Sequence, residues 1–173
     1  MSNISEAMQA AVGTVTGRTT SYPISESDIR KWALAVYWPG QPPAMFIDPA
    51  AAAKTVHGGI VAPEEFNPFA WIAPAHEAFI KNAGKLENNN PDNPEIALGM
   101  SGPGLKFQLN GGMSVEYGVR MRAGDVITSE SSVGEYSERE GRLGLMLFSR
   151  GISTWTNQKG EMVKRTTGTL IRY

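Results

Sequence analysis

The 173-residue chain contains no cysteine and only two histidines, His57 and His76. The absence of cysteine excludes disulfides, thiolate metal sites and a cysteine nucleophile. The two histidines do not show the close spacing that imidazole ligands of a metal usually have. The sequence therefore predicts no metal site.

The chain also lacks an excess of charge of either sign and long hydrophobic runs. Sixteen basic residues face 17 acidic ones, which gives a net charge of −1 and no basic field for nucleic acid or an anionic membrane. No apolar run approaches the ~20 residues of a membrane span, and the first 12 residues lack the features of a secretory signal. We expect a single cytoplasmic domain that binds neither nucleic acid nor membrane.

Helix signals are concentrated in the first half of the chain. Ser25 has Asp28 in capping-box spacing, and apolar residues follow with helical period until the proline-rich stretch 38–43. Asp48 followed by Pro49 predicts a second, short helix. A third helix is expected to begin at Pro63, and its nearly all-round apolar character predicts burial, with distortion where further prolines occur. Its apolar residues are Phe66, Phe69, Ala70, Trp71, Ile72, Ala75 and Phe79, and its internal prolines are Pro68 and Pro74.

Strand signals dominate the second half, where the apolar period becomes two. Alternation over residues 114–121 is followed by predicted strands at 125–136, 142–156 and 161–173, with a turn at 137–141. An earlier strand is expected at 19–24. This order predicts an α+β fold in which an antiparallel curled sheet wraps around a central helix. We divide the chain into an N-terminal extension, 1–18, and one domain, 19–173, with a long loop at 81–104.

Two sequence pieces resemble the MaoC-like hydratase/dehydratase family. Gly59-Ile60-Val61-Ala62-Pro63-Glu64-Glu65-Phe66 follows Asp48-Pro49-Ala50-Ala51-Ala52-Ala53, and Val115-Glu116-Tyr117 precedes Met121-Arg122-Ala123-Gly124-Asp125. The resemblance implies a hot-dog fold, in which a sheet surrounds one helix. It extends to N-terminal MaoC-like dehydratase domains and to the non-catalytic subunits of heteromeric (3R)-hydroxyacyl dehydratases and steroid enoyl-CoA hydratases.

The acid–base residues of active family members are missing from this chain. Those members carry Gly-Asp-x-Asn-Pro-x-His-x-Asp, and aligning the last Asp with Asp48 places Gly40 at the Gly, Gln41 at the catalytic Asp and Phe46 at the catalytic His. Residues 31–46 contain no Asp, Glu or His in any register. Active members also often carry His-Gly where this chain has Ala62-Pro63, and proline has no N–H to polarise a thioester carbonyl. The resemblance therefore implies no catalytic residue in this chain.

The combined interpretation is a structural, substrate-accommodating subunit of an (R)-type 2-enoyl-CoA hydratase or 3-hydroxyacyl-thioester dehydratase. A catalytic MaoC-like subunit would complete a heterodimer or heterotetramer, and the ligand would be an acyl-CoA or acyl-carrier-protein thioester. Water addition needs no metal or redox group, so no cofactor is implied. The long loop at 81–104 suggests a bulky acyl group, long-chain or steroid-like. The predicted substrate contacts are Trp38, Phe46, Glu65, Phe66 and Phe69.

Two rival functions remain open. One is a self-sufficient thioesterase or hydratase that uses His57 and Glu65, or Glu64 in its place. The other is a non-catalytic, acyl-CoA-binding homodimer.

Each candidate functional residue also has a purely structural interpretation. A loop location accounts for His57, a satisfied helix position for His76, and the dipole of a helix N-terminus for Glu64 and Glu65. The aromatic residues are typical of a core. Three cations could meet coenzyme A phosphates, but a solvated strand face is the preferred interpretation; they are Lys106, Arg120 and Arg122.

Overall fold

The computed structural model describes residues 2–72 and 90–173. In these ranges the helical elements are α1 (Glu6–Ala10), α2 (Glu26–Val36), a 3-10 turn (Ala44–Phe46), α3 (Pro49–Ala52) and α4 (Asn93–Ala97). The strands are β1 (Val15–Thr20), β2 (Gln108–Tyr117), β3 (Thr128–Gly141), β4 (Gly144–Thr156) and β5 (Met162–Arg172).

The five strands form one antiparallel sheet in the order β1-β3-β4-β5-β2. The predicted meander is therefore present as β3–β4–β5, and β1 and β2 form the two edges. β1 begins at Val15 rather than at Thr19. The turn predicted at 137–141 is wrong: these residues extend β3 and pair with β4 up to Gly141 opposite Gly144. Gly144, at φ +93°, closes a two-residue turn instead, a conformation that glycine adopts without strain.

β2 contains a bulge at Gly111-Gly112. The register with β5 shifts between Asn110 and Met113. Gly112 has φ +99°, and its N–H donates to Oδ1 of Asn110 at 2.8 Å. A bulge of this kind bends a strand and increases its twist.

Both helix caps are confirmed. The Oγ of Ser25 accepts from the N–H of Asp28 at 3.0 Å and donates to its carboxylate at 2.7 Å. The Oδ1 of Asp48 accepts from the N–H groups of Ala50 and Ala51 at 2.8 and 3.2 Å. These bonds satisfy N–H groups that have no partner inside a helix, which explains where α2 and α3 begin.

The helix expected to begin at Pro63 is wrong over residues 63–72, which form successive turns. Pro68 has no N–H and disfavours the helical conformation at Asn67. The Oδ1 of Asn67 then accepts from the N–H of Phe69 at 3.0 Å, a side-chain turn that replaces a helical bond. The rest of that predicted helix, with His76 and Phe79, lies outside the described residues. So does the first part of the predicted 81–104 loop, whose later part contains α4.

The segment predicted as an N-terminal extension contacts the sheet. Met8 of α1 has no exposed surface. The Ser2 hydroxyl and the Asn3 N–H donate to the carboxylate of Glu138 in β3 at 2.7 and 2.6 Å. Desolvation opposes the change, but these hydrogen bonds lower the pKa of Glu138 overall.

The main hydrophobic core lies between α2, the 60–72 segment and one end of the sheet. Trp32 of α2 meets the ring of Phe66 edge-on at 5.6 Å, and Phe69 meets Trp155 of β4 in the same way at 5.0 Å. Such aromatic pairs add to the stabilisation that burial provides. The buried members of this core are Ile24, Ile29, Ala62, Phe66, Met121, Ile127 and Val163.

A buried ion pair attaches α4 to the other end of the sheet. Arg172 of β5 and Glu95 of α4 both lack exposed surface, and two guanidinium nitrogens each donate to one Glu95 oxygen at 2.7 Å. Arg172 also donates to the Pro91 carbonyl at 2.9 Å and to the Ser149 hydroxyl at 3.2 Å. The bidentate geometry and the additional acceptors offset part of the cost of removing both charges from water, while the Nε of Arg172 has no hydrogen-bond partner among the described residues.

Tyr136 of β3 extends this network. Its hydroxyl donates to the Oε1 of Glu95 at 3.1 Å. Burial and the neighbouring Glu95 carboxylate, which also accepts its hydrogen bond, raise the pKa of Tyr136 to about 12, although Arg172 opposes the shift.

We predict that Glu95→Ala lowers the free energy of unfolding by about 3–5 kcal/mol, because it leaves the Arg172 charge buried without its main partner. Denaturant unfolding of the purified variant measures this change. Glu26→Ala, which breaks an exposed pair with Arg30, is the matched control and costs less than about 0.5 kcal/mol. Replacing both buried partners, Glu95→Leu with Arg172→Met, recovers most of the loss. Equal effects of Glu95→Ala and Glu26→Ala would contradict a structural role for the buried pair.

The raised pKa of Tyr136 predicts a loss of folding stability at alkaline pH. Its folded pKa of about 12 lies above the ordinary value of 10, so between these values the folded state keeps a proton that the unfolded state has released. The contribution is complete below pH 10 and is lost as the pH rises through about 12. Unfolding of Tyr136→Phe will therefore depend less steeply on pH in this window. Tyr22→Phe, at a side chain that is 62% exposed, will leave the dependence unchanged.

Candidate functional site

Gln41 and Phe46, the residues predicted to replace the family's catalytic pair, lie in different surroundings. Gln41 is exposed to solvent. Phe46 is only 4% exposed and packs in a second core cluster with Ala33 and Val61. The carboxylate of Asp48 is bound to two backbone N–H groups of α3. An amide, a phenyl ring and a capping carboxylate therefore occupy this segment.

The backbone at Ala62-Pro63 offers no free N–H either. The N–H of Ala62 donates to the Met121 carbonyl at 2.8 Å, and Pro63 has none. The next turn is closed by a bond from the N–H of Phe66 to the Pro63 carbonyl at 3.0 Å. An oxyanion hole requires donors that point at the reacting oxygen, and these two positions do not supply one.

Glu64 and Glu65 each form an ion pair with a distant segment of the chain. A carboxylate oxygen of Glu64 lies 3.2 Å from the Nη2 of Arg120, in the β2–β3 connection, and one of Glu65 lies 2.8 Å from the Nζ of Lys164 in β5. Since residues 63–72 form turns, the explanation of these carboxylates by a helix dipole is wrong. The two cations hold them instead.

Lys164 is at the centre of a cluster that the sequence did not predict. It lies in β5 directly between Tyr117 of β2 and Trp155 of β4. Its Nζ is 5.5 and 5.2 Å from the centroids of these two rings. Cation–π attraction and the Glu65 carboxylate compensate for the burial of this ammonium group. We call these residues the Lys164 cluster: Glu65, Phe69, Tyr117, Trp155 and Lys164.

A sequence signal for the cluster existed. Lys164 and Arg172 are eight residues apart in β5, so their side chains have the same phase, and both residues are buried. Charged side chains at both ends of a buried face require partners from elsewhere in the chain. The sequence alone does not reveal which partners these are.

The five predicted substrate contacts lie in four places. Glu65 and Phe69 come together in the Lys164 cluster. Phe66, 2% exposed, belongs to the main core, and Phe46 belongs to the second cluster. Trp38 follows α2 and is 81% exposed.

His57 lies in a different place from Glu65. It lines a cavity of about 450 Å³, the basic cavity, together with Arg120, Arg122 and Lys159. The guanidinium of Arg122 donates to the backbone carbonyl of His57. Glu65 does not line this cavity but is bound to Lys164. Asp125 and Glu161 line the same cavity as His57, but neither Glu65 nor Glu64, the carboxylates predicted for a self-sufficient enzyme, does so.

A second, largely apolar cavity of about 320 Å³ lies beside α4. We call it the α4 cavity. Pro94, Ala97 and Leu98 line one side, and Val133 and Tyr136 of β3 line the other. Its size is near the lower end of the range for small-molecule pockets, about 300–1,000 Å³.

Residues 2–72 and 90–173 contain neither a metal-binding cluster nor a helix that could span a membrane. Within these ranges no group of three or more His, Asp or Glu side chains is arranged to hold a metal ion. No helix in the same ranges is long and apolar enough to cross a membrane.

Comparison with solved structures shows the hot-dog fold. A MaoC-like dehydratase from Rhodospirillum rubrum has a TM-score of 0.54 at 22% identity, covering 94% of this chain and 92% of that one. The ChsH1–ChsH2 complex from Mycobacterium tuberculosis gives 0.60 at 17% identity, covering 96% and 91%. The HadBC complex of the same organism, a (3R)-hydroxyacyl-ACP dehydratase, gives 0.50 at 16% identity, covering 92% and 99%.

Comparison with family models identifies the family. Curated protein sequences give no significant match. The family described as "FAS1-like, dehydratase domain region" matches residues 10–166, which is most of the chain and extends from the end of α1 into β5. With the sheet topology and the structural similarities above, this match confirms the predicted family and fold. The chain belongs to the FAS1-like dehydratase region family and is a MaoC-like hot-dog protein.

Proposed function

We propose that this chain is the substrate-accommodating, non-catalytic subunit of a heteromeric hydratase or dehydratase that acts on acyl thioesters. The observation that carries the proposal is the buried Phe46 beside an exposed Gln41, where active members have an acid–base pair. Positioned acid–base groups contribute about 10²–10⁴ in rate. A chain without them needs a partner that supplies both. A cytoplasmic location is part of the same proposal.

The names of two similar structures support a heteromeric assembly. Both the ChsH1–ChsH2 and the HadBC structures are complexes of two different chains. The partner proposed here is likewise a MaoC-like chain, which would carry the Asp and His in a heterodimer or heterotetramer.

The free edge of β2 supports the addition of a partner. Among the strands of the described ranges, β2 pairs only with β5. Leu109 and Met113 of this strand are 48% and 69% exposed. An exposed edge strand with apolar side chains is a ready template for pairing with another chain.

The α4 cavity and the Lys164 cluster are the parts of the chain that we assign to the ligand. Leu98, Val133 and their neighbours provide an apolar wall for an acyl group. In the Lys164 cluster, Glu65 and Phe69 are the predicted contacts that lie together. Trp38 is accessible from solvent, whereas contact with Phe46 or Phe66 requires the core to open. We also propose a bulky acyl group, long-chain or steroid-like. The support for this part of the proposal is the size of the α4 cavity alone.

We predict that the purified chain alone hydrates crotonyl-CoA and longer 2-enoyl-CoAs at least about 100-fold more slowly than a mixture with the MaoC-like subunit encoded beside it. Absorbance of the conjugated thioester follows the reaction, and size-exclusion chromatography reports the assembly. Met113→Lys, on the free edge of β2, is expected to weaken the assembly and the activity together. Leu143→Lys, at an exposed residue in the β3–β4 turn, is the matched control and changes neither.

His57→Ala and Glu65→Gln separate the rival functions. In the mixture both variants are expected to keep the capacity for turnover, because neither residue transfers a proton. Hydration or thiol release by the chain alone, abolished by either variant, would establish the self-sufficient enzyme and refute the proposal. If the chain forms a homodimer that binds acyl-CoA, and the mixture shows no turnover, the result would support the non-catalytic acyl-CoA-binding homodimer instead.

A further inference from the structure

The basic cavity lies where three distant segments of the chain meet. His57 comes from the loop after α3, Arg120 and Arg122 from the connection between β2 and β3, and Lys159 from the β4–β5 turn. Gly118 also lines the cavity, and its backbone passes so close to β5 that a Cβ atom would lie 2.0 Å from the Met162 carbonyl oxygen. This close approach brings the Arg120 and Arg122 backbone to the β4–β5 turn.

The cationic side chains of this cavity have hydrogen-bond donors that no described acidic residue occupies. Arg122 and Lys159 form no ion pair with any residue in the described part of the chain. Arg120 uses its Nη2 on Glu64, but its Nη1 is buried and has no hydrogen-bond partner among the described residues. A buried donor without an acceptor is unfavourable.

The two carboxylates in the lining already have partners. Asp125 accepts from the backbone N–H of Arg122 at 2.8 Å and from the side-chain amide of Gln158 at 3.1 Å. Glu161 accepts from the side-chain amide of Asn157 at 2.8 Å. These bonds hold the carboxylates on local backbone and amide groups without removing their charge. The cavity lining contains two guanidinium groups and one ammonium group, which outnumber the two carboxylates.

We propose that the basic cavity binds the phosphates of coenzyme A, so that the thioester carrier is free coenzyme A rather than a carrier protein. The inference rests on the proposed function, from which the thioester ligand comes. Two guanidinium groups and one ammonium group match the diphosphate and 3′-phosphate of coenzyme A better than the single phosphodiester of a carrier-protein arm. Guanidinium groups suit phosphate oxygens because their N–H donors form a planar fork. This assignment replaces the solvated strand face that the sequence suggested for Arg120 and Arg122.

Isothermal titration of the purified chain with adenosine 3′,5′-bisphosphate and with 4′-phosphopantetheine tests the proposal. The bisphosphate is expected to bind, with an affinity that falls as salt is added, and phosphopantetheine is expected to bind at least tenfold more weakly. Lys159→Gln and Arg122→Gln should each weaken bisphosphate binding roughly tenfold, since each removes a charged hydrogen bond. Lys106→Gln is the matched control, because Lys106 lies in another groove with Phe107 and Tyr173, and it should leave the affinity unchanged.

Three results would overturn the inference. They are an isolated chain that does not bind the bisphosphate, binding that is insensitive to Lys159→Gln, and phosphopantetheine binding as tight as that of the bisphosphate. Arg122→Gln also removes the bond to the His57 carbonyl, so Lys159→Gln, in an exposed turn, is the variant that decides. Titration uses the chain alone and hydration uses the mixture, so failure of one does not imply failure of the other.

Discussion

The fully buried pair of Arg172 and Glu95 is the interaction on which one end of this fold depends. A guanidinium without exposed surface is tolerable only where acceptors surround it, and α4, the Pro91 carbonyl and Ser149 provide them. The same network holds Tyr136 and shapes one wall of the α4 cavity. The position of α4, and with it the space beside the sheet, therefore follows from the need to neutralise one charge.

Ionic and capping contacts account for three acidic residues near the predicted catalytic segment. Glu64 is bound to a cation of the β2–β3 connection, Glu65 is bound to a cation of β5, and Asp48 caps a helix. A general base needs a carboxylate or imidazole within reach of the substrate proton. The structural partners of these three carboxylates are consistent with the proposed non-catalytic role, as are the amide and the phenyl ring at the aligned positions. In that proposal the apolar α4 cavity and the basic cavity serve binding.

The local features of the fold were predictable from the sequence, but the contacts between distant segments were not. Capping by Ser25 and Asp48 and the β3–β4–β5 meander depend on neighbouring residues, and these predictions are confirmed. The Pro63 helix was wrong because Pro68 and the Asn67 side chain override apolar periodicity. Lys164 and Glu65 are 99 residues apart. Arg120, Arg122 and Lys159 likewise meet only through the sheet topology, so the sequence could suggest the first two without showing their shared cavity.

The strand order has a consequence for how the chain folds. β3, β4 and β5 follow each other through short turns, whereas Thr20 of β1 pairs with Thr128, and Gln108 of β2 pairs with Arg172 at the far end of the chain. Closing long loops has an entropic cost that must be met before the contacts they bring can stabilise the structure. We therefore expect the central three strands to pair first and the outer strands to dock later. During synthesis, β1 cannot pair until β3 has emerged from the ribosome, and β2 cannot pair until β5 has emerged.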